Sequence, residues 1–267
     1  MGSRAHRSMH SEFRFVIDEL QQILGEDIQL EALQGGAINR SFFVRQGGRC
    51  YFLKLFDGST AQKLDRKGLF EQQQCLAKLG LAPLPVYLSN NSDFQLEQWV
   101  ASINLQQSAL SRSEKCQLLA HTLSKIHRVE LPLAKLDLEF DWHYYISLSA
   151  KKFSAVEQEE LRIMLGTWRK ETEQLCTVCH NDLAFSHVTE APCTVVFDWE
   201  YSALSNPFFD IASSITINQL SDAEQKILLR HYACDRQLDV AYVADKVSLM
   251  LPIVAKTNEL WSLAFVY

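Results

Sequence analysis

The sequence predicts an α+β fold in two parts: a small antiparallel sheet with one helix, then a larger, mostly helical region. Three observations predict it. Between residues 28 and 56, three short extended runs are separated by the Gly35-Gly36 and Gly47-Gly48 pairs, the pattern of a meander with tight turns. Beyond Val100, apolar residues recur mainly at helical spacing. The exception there is 177–201, a strand-like stretch that carries two short acidic motifs.

In chain order, residues 1–10 hold Arg4, Arg7 and two histidines with no apolar stretch behind them, so they read as a leader or disordered tail, not a signal peptide. Phe13, Val16, Ile17, Leu20 and Ile23 then fall at helical spacing up to Gly25. Extended runs follow at 28–33, 41–45 and 50–56. In the third, Lys54 is a lone charge between Phe52 and Phe56, on the face opposite Tyr51, Leu53 and Leu55. Asp57-Gly58 is a turn, Ser59 or Thr60 caps a helix reaching Leu79, and Gly80 is its terminal glycine. Strands at 86–88 and 94–99 complete a five-stranded lobe. Residues 11–98 therefore make the sheet lobe and 99–267 the helical lobe. Helices are expected in the latter at 115–128, 142–149, 156–169, 208–217, 222–232 and 240–251. The apolar end, 260–267, reads as a packed or truncated C-terminal helix.

Composition narrows the function. A net charge of −6 over 267 residues argues against nucleic-acid binding, which needs a basic surface. No run of eighteen apolar residues is present, so no membrane partner is expected. Seven cysteines, an odd number without framework spacing, suit reduced thiols in the cytoplasm. The chain is expected to act as a monomer or homodimer.

The chemistry concentrates in His180-Asn181-Asp182-Leu183 and Phe197-Asp198-Trp199-Glu200-Tyr201. Phosphoryl transfer needs an oriented hydroxyl, magnesium across the phosphates and donors for the developing charge. Asp182 can act as base toward the hydroxyl, and His180 belongs to the same catalytic loop. Asp198 can ligate Mg2+, which prefers carboxylate oxygens, and Glu200 can hold a second ion or its water. Upstream, Gly35, Gly36 and Asn39 lie between two strands, where small residues let backbone approach phosphates. Lys54 is placed to reach phosphates, and Glu71 on the next helix to hold that lysine. Cys176-x-x-Cys179-His180 also matches a haem-attachment pattern, but haem of that type goes with export, and no export signal is present. A zinc site at these cysteines lacks a second ligand pair. Asp210, opening an apolar helix, reads either as a dipole-favoured charge or as a brace for the loop at His180.

These motifs resemble the aminoglycoside phosphotransferase and choline kinase superfamily, and most of all its bacterial choline/ethanolamine kinase and thiamine kinase-like branch. The matching pieces are 35–39, 52–54, 79–83, 123–127, 180–183 and 198–201 with 207–210. The resemblance implies a bilobal, protein-kinase-like fold with a hinge near 97–100, so that Glu97 and Trp99 lie where adenine binds. It implies ATP and Mg2+ as cofactors, Asp182 as base, Asp198 as metal ligand, Lys54 and Glu71 as the phosphate-binding pair and Asp210 as brace. The acceptor would be an alcohol on a small, often cationic molecule, choline- or thiamine-like. An aminoglycoside or sugar acceptor is the alternative within the class, and a nucleotide-binding module with little turnover is the alternative outside it. One departure matters: the family's second metal-binding residue, an Asn five positions after the base, is here His187. Either His187 holds the ion weakly, Glu200 compensates, or activity is reduced.

Overall fold

The computed structural model describes residues 3–33, 40–56, 64–190 and 194–265, with backbone alone for 3–12. The chain divides into two compact units, Met1–Ala101 and Ser102–Tyr267.

The first unit is built on a five-stranded antiparallel sheet of β1 (Ile28–Leu33), β2 (Arg40–Gln46), β3 (Arg49–Leu55), β4 (Pro85–Leu88) and β5 (Phe94–Gln98), in the order β1-β2-β3-β5-β4. β2 and β3 are joined by Gly47 and Gly48 at φ 53° and 80°, the left-handed pair that a two-residue hairpin turn requires. Alternation then sorts β3 by face. Tyr51, Leu53 and Leu55 are buried and pack with Val16 and Leu20 of α1 (Ser3–Leu24), while Lys54 sits on the other face, paired with Gln95 of β5. That second face meets α2 (Arg66–Lys78), whose Gln73 accepts a hydrogen bond from Gln95 Nε2 at 2.8 Å and donates to the Pro83 carbonyl at 3.1 Å.

Two differences from expectation lie in this unit. α1 reaches back to Ser3, although residues 3–12 carry no apolar period that would reveal a helix. α2 opens later than expected, with Asp65 accepting from Gly68 N at 3.0 Å, and the expected caps Ser59 and Thr60 lie outside the described residues.

The second unit contains α3 (Arg112–Ile126), α4 (Leu138–Leu148), α5 (Ala155–Gln174), β6 (Thr177–Cys179), β7 (Ala203–Ser205), α6 (Pro207–Ile217), α7 (Asp222–Arg236) and α8 (Val240–Phe265). Ser111, Ser154 and Ser221 each begin a helix with a capping box completed by a glutamate three residues on. α8 does not stop at Leu251 as expected but continues through Pro252. The missing hydrogen bond and ring clash cost about 3 kcal/mol. Burial of Met250, Ile253 and Val254 on both sides of the proline offsets it, at roughly 2 kcal/mol per side chain. The Trp142 indole further ties α4 to α8 through Thr257 Oγ1 at 2.9 Å.

Residues 195–197 also differ from expectation, forming only an isolated bridge between Val188 and Val196. The strand pairing with β6 is β7, too short to show a period. No helix among the described residues is long and apolar enough to cross a membrane.

Candidate active site

β6 runs directly into the loop at 180–184, where Asn181 turns the chain in the left-handed region at φ 64°. His180 is fully buried with both ring nitrogens engaged. Nε2 lies 2.9 Å from the Phe197 carbonyl, and Nδ1 accepts the Asp182 N–H at 3.2 Å. A carbonyl can only accept, so the proton is on Nε2 and the ring is neutral. Burial first, then the neighbouring His187, depress its pKa to about 4. His180 thus ties the Asp182 loop to the Asp198 loop. Its assignment to catalysis from sequence becomes one of positioning, because neither nitrogen is left to exchange a proton with substrate.

Asp210, also fully buried, holds the same loop from behind. One carboxylate oxygen accepts from His180 N at 2.8 Å and lies 3.0 Å from His127 Nε2; the other accepts from Asn181 N at 2.8 Å. His127 Nδ1 in turn lies 2.8 Å from the Tyr232 hydroxyl. Burial alone would push the Asp210 carboxyl up. The His127 hydrogen bond and charge, with His180, hold it below the ordinary carboxylate value. These contacts tie Asp210 to the main chain of the loop that follows β6.

The second loop is strained in the same way as the first. Asp198 has φ 61° and ψ 55°, unusual for a residue with a side chain, and opens a short 3-10 turn over Trp199–Tyr201. It is anchored by Trp199, whose indole donates to the Val196 carbonyl at 2.9 Å and packs 4.9 Å from the His180 ring. Asn181 Nδ2 donates to the Tyr201 carbonyl at 3.0 Å, a further tie between the loops. His187 donates from Nδ1 to the Asp182 carbonyl at 2.8 Å and brings Nε2 to 3.8 Å from Asp198 Oδ2.

Tyr201 connects these carboxylates to an aromatic group. Burial, then the charges of Glu200, Asp182 and Asp198, push its hydroxyl pKa up, and the neighbouring Trp261 opposes them. Trp261 lies tilted against Phe265 at 5.6 Å, and Phe265 meets Tyr145 edge-on at 5.8 Å. Sequence reasoning reads Tyr145, Tyr201 and Trp261 as core by default, with a cation-binding wall near Glu200 as the alternative, because they are scattered between residues 145 and 261. It also missed His127 as partner of Asp210, since nothing in the spacing of residues 83 apart links them.

In the first unit, Lys54 is half-buried beside Gln95, and Gln95 Nε2 also donates to buried Glu97 at 2.8 Å. Glu71 is exposed on α2; the residue that helix buries toward Gln95 is Gln73. The helical period explains this, since two residues turn the side chain by about 200°. Trp99 packs edge-on against Phe43 at 4.7 Å, and its backbone N–H donates to the Cys50 carbonyl. Gly35, Gly36 and Asn39 lie outside the described residues.

A buried brace behind an H-x-D loop, and a carboxylate-bearing turn tied to that loop, define a phosphotransferase with a kinase-like C-terminal unit. The comparisons agree. The pattern of the phosphotransferase enzyme family matches residues 29–242, and this chain belongs to that family of enzymes. Protein LicA of Haemophilus influenzae is 25% identical over 207 residues, which is 74% of this chain and 61% of that protein. The match thus spans about three fifths of that relative's length. The choline kinase LicA from Streptococcus pneumoniae superposes with a TM-score of 0.73 at 20% identity, covering 94% of this chain and 89% of that one. LicA in complex with AMP gives 0.68 at 19%, covering 94% and 96%. An aminoglycoside-3'-phosphotransferase of type VIII gives 0.68 at 16%, covering 90% and 98%. The fold is therefore the protein-kinase-like one.

The residues present fit a divalent cation. Asp198 offers hard carboxylate oxygen, and His187, donating from Nδ1, turns Nε2 toward it at 3.8 Å.

Proposed function

We propose that this chain transfers the γ-phosphate of ATP to the hydroxyl of a small, cationic amino alcohol, choline- or thiamine-like. The observation that supports it most is that three carboxylates, Glu200, Asp182 and Asp198, lie within electrostatic reach of one half-buried tyrosine, Tyr201, and raise its hydroxyl pKa. Carboxylates beside aromatic faces suit a cation that carries a reactive hydroxyl.

In this reading Asp182 accepts the hydroxyl proton as the oxygen attacks the γ-phosphorus and the bond to the departing ADP breaks. Asp198, with His187 and Glu200, would hold Mg2+ or a like cation, which when bound would offset charge on the phosphates. Lys54 and the 35–39 segment are read as phosphate contacts, with Glu71 as the lysine's helical neighbour. Glu97 and Trp99 are read as adenine contacts. His127, Asp210 and His180 take no part in bond making; they hold Asp182 and Asp198 in register. The protein is expected to work in the cytoplasm, as monomer or homodimer.

An acceptor panel tests the reading. Purified protein with Mg2+ or Mn2+ and ATP is incubated with choline, ethanolamine, thiamine, an aminoglycoside and a sugar, and products are read by mass spectrometry. A phosphorylated amino alcohol is expected. Phosphorylation of the aminoglycoside or sugar instead would transfer the acceptor to the alternative class. ATP binding without any product would leave a nucleotide-binding module.

A further inference from the structure

His187 is built as a metal ligand would be. Its Nδ1–H is committed to the Asp182 carbonyl at 2.8 Å, which fixes both the tautomer and the ring's orientation. Metal-binding histidines almost always donate their second nitrogen in this way. The ring also leans on buried His180, with centroids 5.9 Å apart and planes at 32°. Its backbone is stitched to the Asp198 loop, because Phe197 N donates to the His187 carbonyl at 2.8 Å and Val188 bridges Val196. The remaining nitrogen, Nε2, is 3.8 Å from Asp198 Oδ2. One ion can span two donors at that separation, since bonds of about 2.1 Å to each reach slightly further.

The donor pair is not one that Mg2+ prefers. Magnesium takes oxygen ligands and keeps its waters, whereas affinity for imidazole nitrogen rises along the first-row divalent series. We infer that His187 and Asp198 form a mixed nitrogen–oxygen site that favours a first-row transition cation such as Mn2+ over Mg2+. This rests on the reading of Asp198 as the carboxylate that holds the cation. The opposing interpretation of the same contact is a charged imidazolium paired with Asp198, which would repel a cation.

Electron paramagnetic resonance of Mn2+ separates these. The full chain is mixed with Mn2+ and inorganic tripolyphosphate, which contains no nitrogen, so any nitrogen coupled to the ion comes from protein. The free-Mn2+ signal reports binding, and electron spin echo modulation reports directly bonded nitrogen. Native protein is expected to bind Mn2+ with an imidazole-type nitrogen coupling. His187→Asn should keep binding but lose the coupling, and its preference for Mn2+ over Mg2+, measured by displacement, should fall roughly tenfold or more. Binding with no nitrogen coupling in the native chain, or coupling that survives His187→Asn, overturns the inference and leaves Asp198 as the cation's carboxylate. Binding that Asp198→Asn leaves unchanged overturns the reading of Asp198 itself. Absence of Mn2+ binding in the native chain overturns both.

Discussion

The two units each bury a polar network, and the networks differ in kind. In the helical unit, Asp210 is a buried charge whose oxygens meet two backbone N–H groups and His127, so it fixes main chain. In the sheet unit, Gln73, Gln95 and Glu97 bond to one another through side chains at 2.8 Å, Gln73 reaches one carbonyl at Pro83, and the strand backbone is left to the sheet's own ladder. The difference teaches what each region must hold still. A loop in left-handed backbone, as at Asn181 and Asp198, does not keep its shape through local propensity and has to be pinned by charge. A residue such as Lys54 on a regular strand is already placed by pairing, and its neighbours need only orient it.

That contrast can be broken in graded steps. The charged network positions Asp182 through its loop's main chain, so Asp182→Ala should lower turnover by about 10²–10⁴ with the fold retained. Steady-state kinetics beside thermal melts would show both. Asp210→Ala should instead cost about 3–5 kcal/mol of stability in urea titration, because it strips the partner from buried donors and His127.

His180 gives the contrast a pH dependence. Its folded pKa of about 4 lies below the ordinary 6.5, so between these values the unfolded chain binds the extra proton. Stability from this group is therefore complete above about pH 6.5 and is lost as pH falls toward 4, by about 3 kcal/mol in all. Melts across that range should show the loss, and His180→Asn should flatten it. Gln95→Leu is the smallest step. It leaves Gln73 and Glu97 without their shared donor and should cost about 1–3 kcal/mol by the same titration, without moving the pH profile.

Much of this was legible in the sequence. The five strands, the Gly47-Gly48 hairpin and most helix positions follow from period and turn chemistry, which act locally. The two acidic loops were legible because their chemistry is carried by adjacent residues. What did not show were the long-range partners. His127 and Asp210 meet only because α3 and α6 pack around β6, and Tyr201 meets Trp261 only through α8. α8 itself was cut short in the reading because a proline's local cost was visible and the burial that outweighs it was not. Glu71 lies on the exposed face of α2, whose buried face, with Gln73 toward Gln95, has few apolar markers to set its phase.

The central claim is that the loop braced by Asp210 presents Asp182 as the base of a phosphoryl transfer to an alcohol. It is tested most directly by acceptor-dependent release of ADP from ATP, native chain against Asp182→Ala, with the preferred amino alcohol at saturation. The account predicts release that requires the acceptor and a divalent cation and falls by about 10²–10⁴ in the variant. Equal rates in the two proteins, or no dependence on any acceptor, would contradict it.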